Sequence, residues 1–148
     1  MAIVASLRAD NEWLWGEVVS CQLPVNAGVI VVLRHYRELI AWQKAMELAA
    51  LVYRETRLFP PDERFGLTLQ MRRCAVSVPS NIAEGQGRGL PGDFIRFLRI
   101  ANGSRQELET QSLLAKEFGF ILVENCHRII DSSEEVGRVI AGLIRSLT

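Results

Sequence analysis

The sequence predicts an all-α protein: an antiparallel up-and-down four-helix bundle with an N-terminal extension ahead of it. Three observations carry this. Apolar residues recur at three- and four-residue steps through four long segments after Tyr36. Proline or glycine clusters separate those segments, at Pro60-Pro61, at Gly85 to Gly92 and at Gly119. The connections are short, which makes consecutive helices antiparallel neighbours.

The first segment, Glu38 to Arg57, contains no glycine or proline and is rich in strong helix formers. Leu39, Trp42, Met46, Ala49 and Tyr53, with Val52 beside it, form its expected core stripe. The second starts between Asp62 and Phe65 and runs to Glu84, with Leu67, Met71, Cys74, Val78 and Ile82 on one face. Pro79 predicts a kink one turn earlier, near Ala75. Gly85, Gly87 and Gly89 are expected to end this helix.

The third helix opens at Pro91, a favourable first-turn residue, with Asp93 near the positive end of the dipole. Its expected core side is Phe94, Leu98, Ala101, Leu108, Ala115 and Phe118, with Phe97 and Ile100 flanking. At about 28 residues it would be roughly 40 Å long. The fourth helix covers Glu124 to Leu147 and carries Ile129, Val136, Val139, Ile140, Leu143 and Ile144. Ser132, Ser133, Gly137 and Gly142 weaken it locally.

Residues 1–34 differ from the rest. They hold Trp13, Trp15, Cys21, Pro24 and the β-branched run Val29 to Val32, without a helical period. A short strand, an unstructured arm and a start placed upstream of the true one are all compatible with that composition. The domain boundary is therefore drawn between an extension at 1–34 and a bundle at 35–148.

Composition narrows the function. The chain has 148 residues, 49% of them hydrophobic and 23% charged, with formal net charge zero. That is one ordinary globular domain. Cys21, Cys74 and Cys126 show no paired or metal-ligand spacing, which fits a reducing compartment. The early polar run Asp10, Asn11 and Glu12 does not read as a signal peptide. No stretch is long and apolar enough for a membrane span, so the expected location is the cytoplasm.

Catalytic readings find little support. A di-iron bundle needs two Glu-x-x-His motifs and further carboxylates. Glu124 to His127 is one such motif, and Glu84 and Glu107 could add carboxylates, but His35 precedes the first helix. A metal-dependent enzyme using Glu124 and His127 therefore stays as the alternative. Ser77, Ser80 and Ser104 have no histidine on their helices, as nucleophilic catalysis would want. Gly85 to Gly89 lacks the strand and lysine of a phosphate loop. No enzyme activity, cofactor, metal or small-molecule substrate is expected.

Two surface features remain. A polar seam on the second helix holds Gln70, Arg73, Ser77, Asn81, Glu84 and Arg88, and the third helix carries Asn102, Ser104, Glu107 and Gln111. These are either solvated faces or a hydrogen-bonded layer that fixes register between helices or subunits. The other feature is hidden by the zero total. From Arg64 to Arg105 the chain carries seven arginines (Arg64, Arg72, Arg73, Arg88, Arg96, Arg99 and Arg105) against Glu84 and Asp93, a surplus of +5. Arginine suits phosphate and carboxylate forks, and Arg72, Arg73, Arg88, Arg96, Arg99 and Arg105 are the candidate nucleic-acid-binding set. Pairing of these arginines with acids of neighbouring helices is the bland alternative.

The stretch Tyr36 to Met46, then Gln70 to Arg73, then SVPSNIAEGQGRG (Ser77 to Gly89), then FIRFLRIANGSRQELETQ (Phe94 to Gln111) resembles the four-helix-bundle proteins of intervening sequences in bacterial large-subunit ribosomal RNA genes. That family includes the accessory variability determinants of diversity-generating retroelements. The resemblance spans about residues 36–122. It implies a homo-pentameric ring and, for the retroelement members, binding of nucleic acid and a reverse transcriptase. Such members tend to be more basic than this chain. Leu90 also departs from the usual Ser or Thr helix cap, which Pro91 offsets. Ser77, Asn81, Glu84, Ser104 and Glu107 fall inside the shared motif, which favours a structural polar layer. Function is thus expected to be that of an oligomeric scaffold binding RNA or an RNA-handling protein, with a purely structural oligomer as the blandest alternative.

Overall fold

The structure is a computed structural model, and it describes residues 3–7, 13–17 and 35–148. In the extension, β1 (Ile3–Leu7) pairs antiparallel with β2 (Trp13–Glu17), Ile3 opposite Glu17 and Leu7 opposite Trp13. Cys21 and the run Val29 to Val32 lie outside the described residues.

Four helices follow: α1 (Ile40–Glu55), α2 (Leu67–Gly87), α3 (Pro91–Glu117) and α4 (Val123–Leu147). Their bonded partners show the antiparallel arrangement directly. Between α2 and α3, Cys74 meets Gln111, Ser77 meets Ser104, and Gly85 lies against Phe97. As one number rises, the other falls. The same holds for α1 and α4, where Lys44 meets Glu135 and Glu55 meets Arg128. Each helix touches its chain neighbours, α4 closes back on α1, and the α2–α3 contact is the most extensive.

Local chemistry explains the ends. α1 stops at Thr56, whose hydroxyl donates to the Val52 carbonyl, and Pro60 and Pro61 then bar continuation. Glu63 accepts from the Leu67 amide and so caps α2 from the preceding turn. Gly89 at φ +75 makes the left-handed exit from α2. Leu90 gives α3 no side-chain cap, and Pro91 occupies its first turn.

The core is continuous through all four helices, with Leu48, Met71, Ile82, Leu98, Leu108, Ile129 and Ile140 fully buried. The expected stripe of α2 is buried as read, with Leu67 packed at its edge. α2 also runs unbroken through Pro79, which is itself buried.

Three expectations need correction. In α1 the expected Leu39, Ala49 and Val52 are buried, together with Ala41, Ala45 and Leu48, whereas Met46 and Tyr53 are 44% and 42% exposed. The helix carries two apolar faces, and the stripe that periodicity selected straddles them. Phe118 lies at the end of α3 and is 59% exposed, because the helix stops there and the chain turns at Gly119. Gly85 does not end α2. It sits inside the helix, and a Cβ there would come 2.5 Å from that of Phe97, so its smallness sets the α2–α3 spacing.

Candidate functional site

The α2–α3 hairpin is the natural place to assemble a site, since it holds the arginine surplus and the polar seam. The seam resolves into two rungs. In the first, the hydroxyls of Ser77 and Ser104 bond at 2.9 Å, and Asn81 Nδ2 donates to Ser77 Oγ at 2.9 Å and to its carbonyl at 2.8 Å. Two turns along, Gln111 Nε2 donates to Glu107 Oε1 at 3.1 Å and approaches Cys74 Sγ at 3.4 Å. The Gln111 Oε1 atom is buried without a donor among the described residues. Burial holds the Cys74 thiol protonated and pushes its pKa to about 11, with Gln111 opposing and Glu107 reinforcing the shift.

Of the predicted seam residues, Ser77 and Ser104 bond across the two helices, Asn81 braces Ser77 within α2, and Gln111 is held by Glu107 within α3 while it reaches across to Cys74. Gln70 and Glu84 do not join them. Gln70 is exposed, and Glu84 forms a surface ion pair with Arg88.

The arginines divide in the same way. Arg73, Arg96 and Arg99 are exposed, and none has an acidic partner among the described residues. Arg88 and Arg96 both lie 5.3 Å from the centroid of the Phe97 ring. Two guanidinium groups therefore flank one aromatic at the α2–α3 turn, with Arg99 one turn further along α3. Arg72 is half-buried: its Nε donates to Thr56 Oγ1 at 2.8 Å and its guanidinium stacks 4.9 Å from the Tyr53 centroid.

Arg105 departs from the predicted set. Its side chain is 11% exposed and paired with Glu109 inside the α3–α4 contact. Asn102 Oδ1 accepts from it at 2.9 Å, and Ser133 donates to Glu109 at 2.9 Å. Gly137 makes room, since a Cβ there would stand 2.9 Å from the Arg105 Nε. A guanidinium satisfied in this way is held inside the bundle and leaves the surface set. The sequence reading did not single out Glu109, and it took Ser133 and Gly137 only as weak points of the fourth helix. Their signal was the four-residue step between Arg105 and Glu109 and again between Ser133 and Gly137.

The carboxylates and histidine of the metal alternative are not brought together. Glu124 and His127 are exposed in the first turns of α4, Glu84 pairs with Arg88 near the far end of α2, and Glu107 is engaged by Gln111.

Between α1 and α2 lies a feature the sequence reading missed. It is a groove of about 350 Å³ lined by Tyr36, Trp42, Met46, Ala49, Val76, Pro79, Ser80 and Ala83. The outer stripe of α1 forms one wall.

These elements can be set against known proteins. A family model described as 23S rRNA-intervening sequence protein matches residues 37–142, well over half the chain. The chain belongs to that family. A solved structure supports the fold: a protein of unknown function from the S23 ribosomal protein family of Bacteroides thetaiotaomicron. It is 24% identical, with a TM-score of 0.66, over 71% of this chain and 98% of its own. No curated protein matches. Among the described residues, no helix of this family member is long and apolar enough to cross a membrane.

Proposed function

We propose that this protein is a non-enzymatic scaffold that assembles with copies of itself and binds RNA through the arginines at the α2–α3 turn. The observation that carries the reading is the group formed by Arg88, Arg96 and Arg99. Two of these share the Phe97 ring, and only Arg88 has an acidic partner among the described residues. Guanidinium groups held this way suit phosphate oxygens, which they grip by paired hydrogen bonds. Arg72 and Arg73 extend the basic surface along α2. The family description, which names 23S rRNA, supports the ligand class. The resemblance of the motif segments supports a ring of five, in which a modest patch is repeated and its field grows. A cytoplasmic setting accords with this reading.

The test is fluorescence anisotropy on labelled RNA across a salt series. The combined Arg88→Ala, Arg96→Ala and Arg99→Ala variant should bind more weakly and lose roughly 0.7–0.9 from its log–log salt slope per phosphate contact removed. Unchanged affinity and slope overturn the RNA reading and leave a protein such as a reverse transcriptase as the partner.

A further inference from the structure

The α1–α2 groove and the outer face of α3 carry complementary features that find no match within one chain. The groove is almost wholly apolar, and Met46 and Val76 on its walls are 44% and 43% exposed. An arginine stands on an aromatic ring at each end: Arg37 lies 5.8 Å from the Tyr36 centroid and Arg72 lies 4.9 Å from that of Tyr53. Neither has an acidic partner among the described residues, nor do Arg54, Arg57 and Arg73 nearby. The α3 face has the converse pattern. Ile100, Leu114 and Phe118 are 44%, 43% and 59% exposed and share one helix side with Glu107. Glu107, and Glu117 next to Phe118 at the far end of the stripe, have no basic partner among the described residues.

We infer that the outer face of α3 from a second copy seats in the α1–α2 groove, apolar on apolar, with its carboxylates meeting the rim arginines. The inference rests on the self-assembly part of the proposed function and names the joint. Lengths are compatible: the stripe from Ile100 to Phe118 spans about 27 Å of helix at the standard rise, more than the roughly 10 Å from Trp42 to Ala49 along the α1 wall of the groove, so it can cover the groove from end to end. Because groove and stripe lie on different faces, the contact is head-to-tail, and such contacts close into rings when the rotation permits. Two grooves facing each other would instead oppose their arginine rims, which like-charge repulsion disfavours.

Light scattering on the full chain, coupled to size exclusion, tests the joint. Met46→Glu spoils the groove and Leu114→Glu spoils the stripe, and each alone should weaken association at least about 100-fold. Mixed in equal amounts, the two variants should form a one-to-one pair and nothing larger, since each retains the surface that the other has lost. Leu58→Glu, at a residue 84% exposed elsewhere, should keep the wild-type mass. Circular dichroism verifies folding, and Val76→Glu with Ile100→Glu supplies a second pair. Wild-type mass in both groove and stripe variants, or no pairing on mixing, overturns the inference while self-assembly stands. A wild-type chain that stays monomeric at all concentrations overturns self-assembly and the joint together.

Discussion

α2 packs against α3 on one flank and against α1 on the other, and the two joints are made differently. Toward α3 it presents Gly85, which lets Phe97 approach closely, and a polar rung in which Ser77, Asn81 and Ser104 satisfy one another. Toward α1 it presents Val76, Pro79 and Ala83, which leave a groove open to solvent. The α3 joint continues inward to the largely buried Arg105 and its half-buried partner Glu109 against α4. Close glycine contacts and directional hydrogen bonds specify a single register, whereas an open apolar groove specifies only that something similar should cover it. The closed side therefore holds the fold, and the open side is available for assembly.

The largest effect should come from breaking the closed side at its buried charge. Glu109→Ala leaves Arg105 without its carboxylate and should cost about 3 kcal/mol in urea unfolding. Replacing both, as Arg105→Met with Glu109→Leu, should recover most of that loss, because the penalty comes from an unpaired charge. A single Glu109→Ala cost below about 1 kcal/mol would mean that solvent reaches the pair and that the two sides differ less than the geometry indicates. Next comes Gly85→Ala, whose added methyl meets the Phe97 Cβ at 2.5 Å. Backbone shift of that kind costs about 2 kcal/mol. Met46→Ala on the open side should change monomer stability by no more than about 0.5 kcal/mol, as surface substitutions do.

The contrast between the flanks also separates what was legible in the sequence from what was not. Helix boundaries were readable because Pro60, Pro61, Gly89 and Pro91 act locally on the backbone. The stripe of α2 was readable because the helix has a single apolar face. α1 misled in part because Met46 and Tyr53 recur at the same steps as residues that pack inward, and periodicity weighs side chains without knowing which helix stands opposite. The polar layer was half legible: the two serines bond across the helices with Asn81 bracing Ser77 from its own helix, but nothing in the spacing of Gln70 and Glu84 distinguishes them from these. Arg105 looked like the other arginines because its fate depends on Ser133 and Gly137, 28 and more residues away. Tertiary partners of that separation carry no local signature.

A smaller effect sharpens the comparison at the first polar rung. Ser104→Ala removes the partner of the half-buried Ser77 hydroxyl and should cost about 1 kcal/mol, the usual price of one such bond. If the rung acts as a unit, the double variant with Ser77→Ala should cost clearly less than the two single costs added together. Additive losses would show that the hydroxyls are solvated independently, and the first rung would then no longer distinguish this flank from the groove.

The smallest effect expected on the closed side is a pH dependence at the second rung. Folding raises the Cys74 pKa from 9.0 to about 11. Between those values the unfolded thiol releases its proton while the folded thiol keeps it, so the unfolded state binds fewer protons and stability falls as pH rises. From pH 9 to 10 the loss should come to a little under 1 kcal/mol. Below pH 8 this contribution to the pH dependence vanishes. Other groups titrate in the same range, so the measurement is the difference between wild type and Cys74→Ala in urea at each pH. Equal slopes in the two proteins would place the thiol in contact with solvent and show that the rung of Gln111, Glu107 and Cys74 opens, which would make the α2–α3 flank as permeable as the groove across from it.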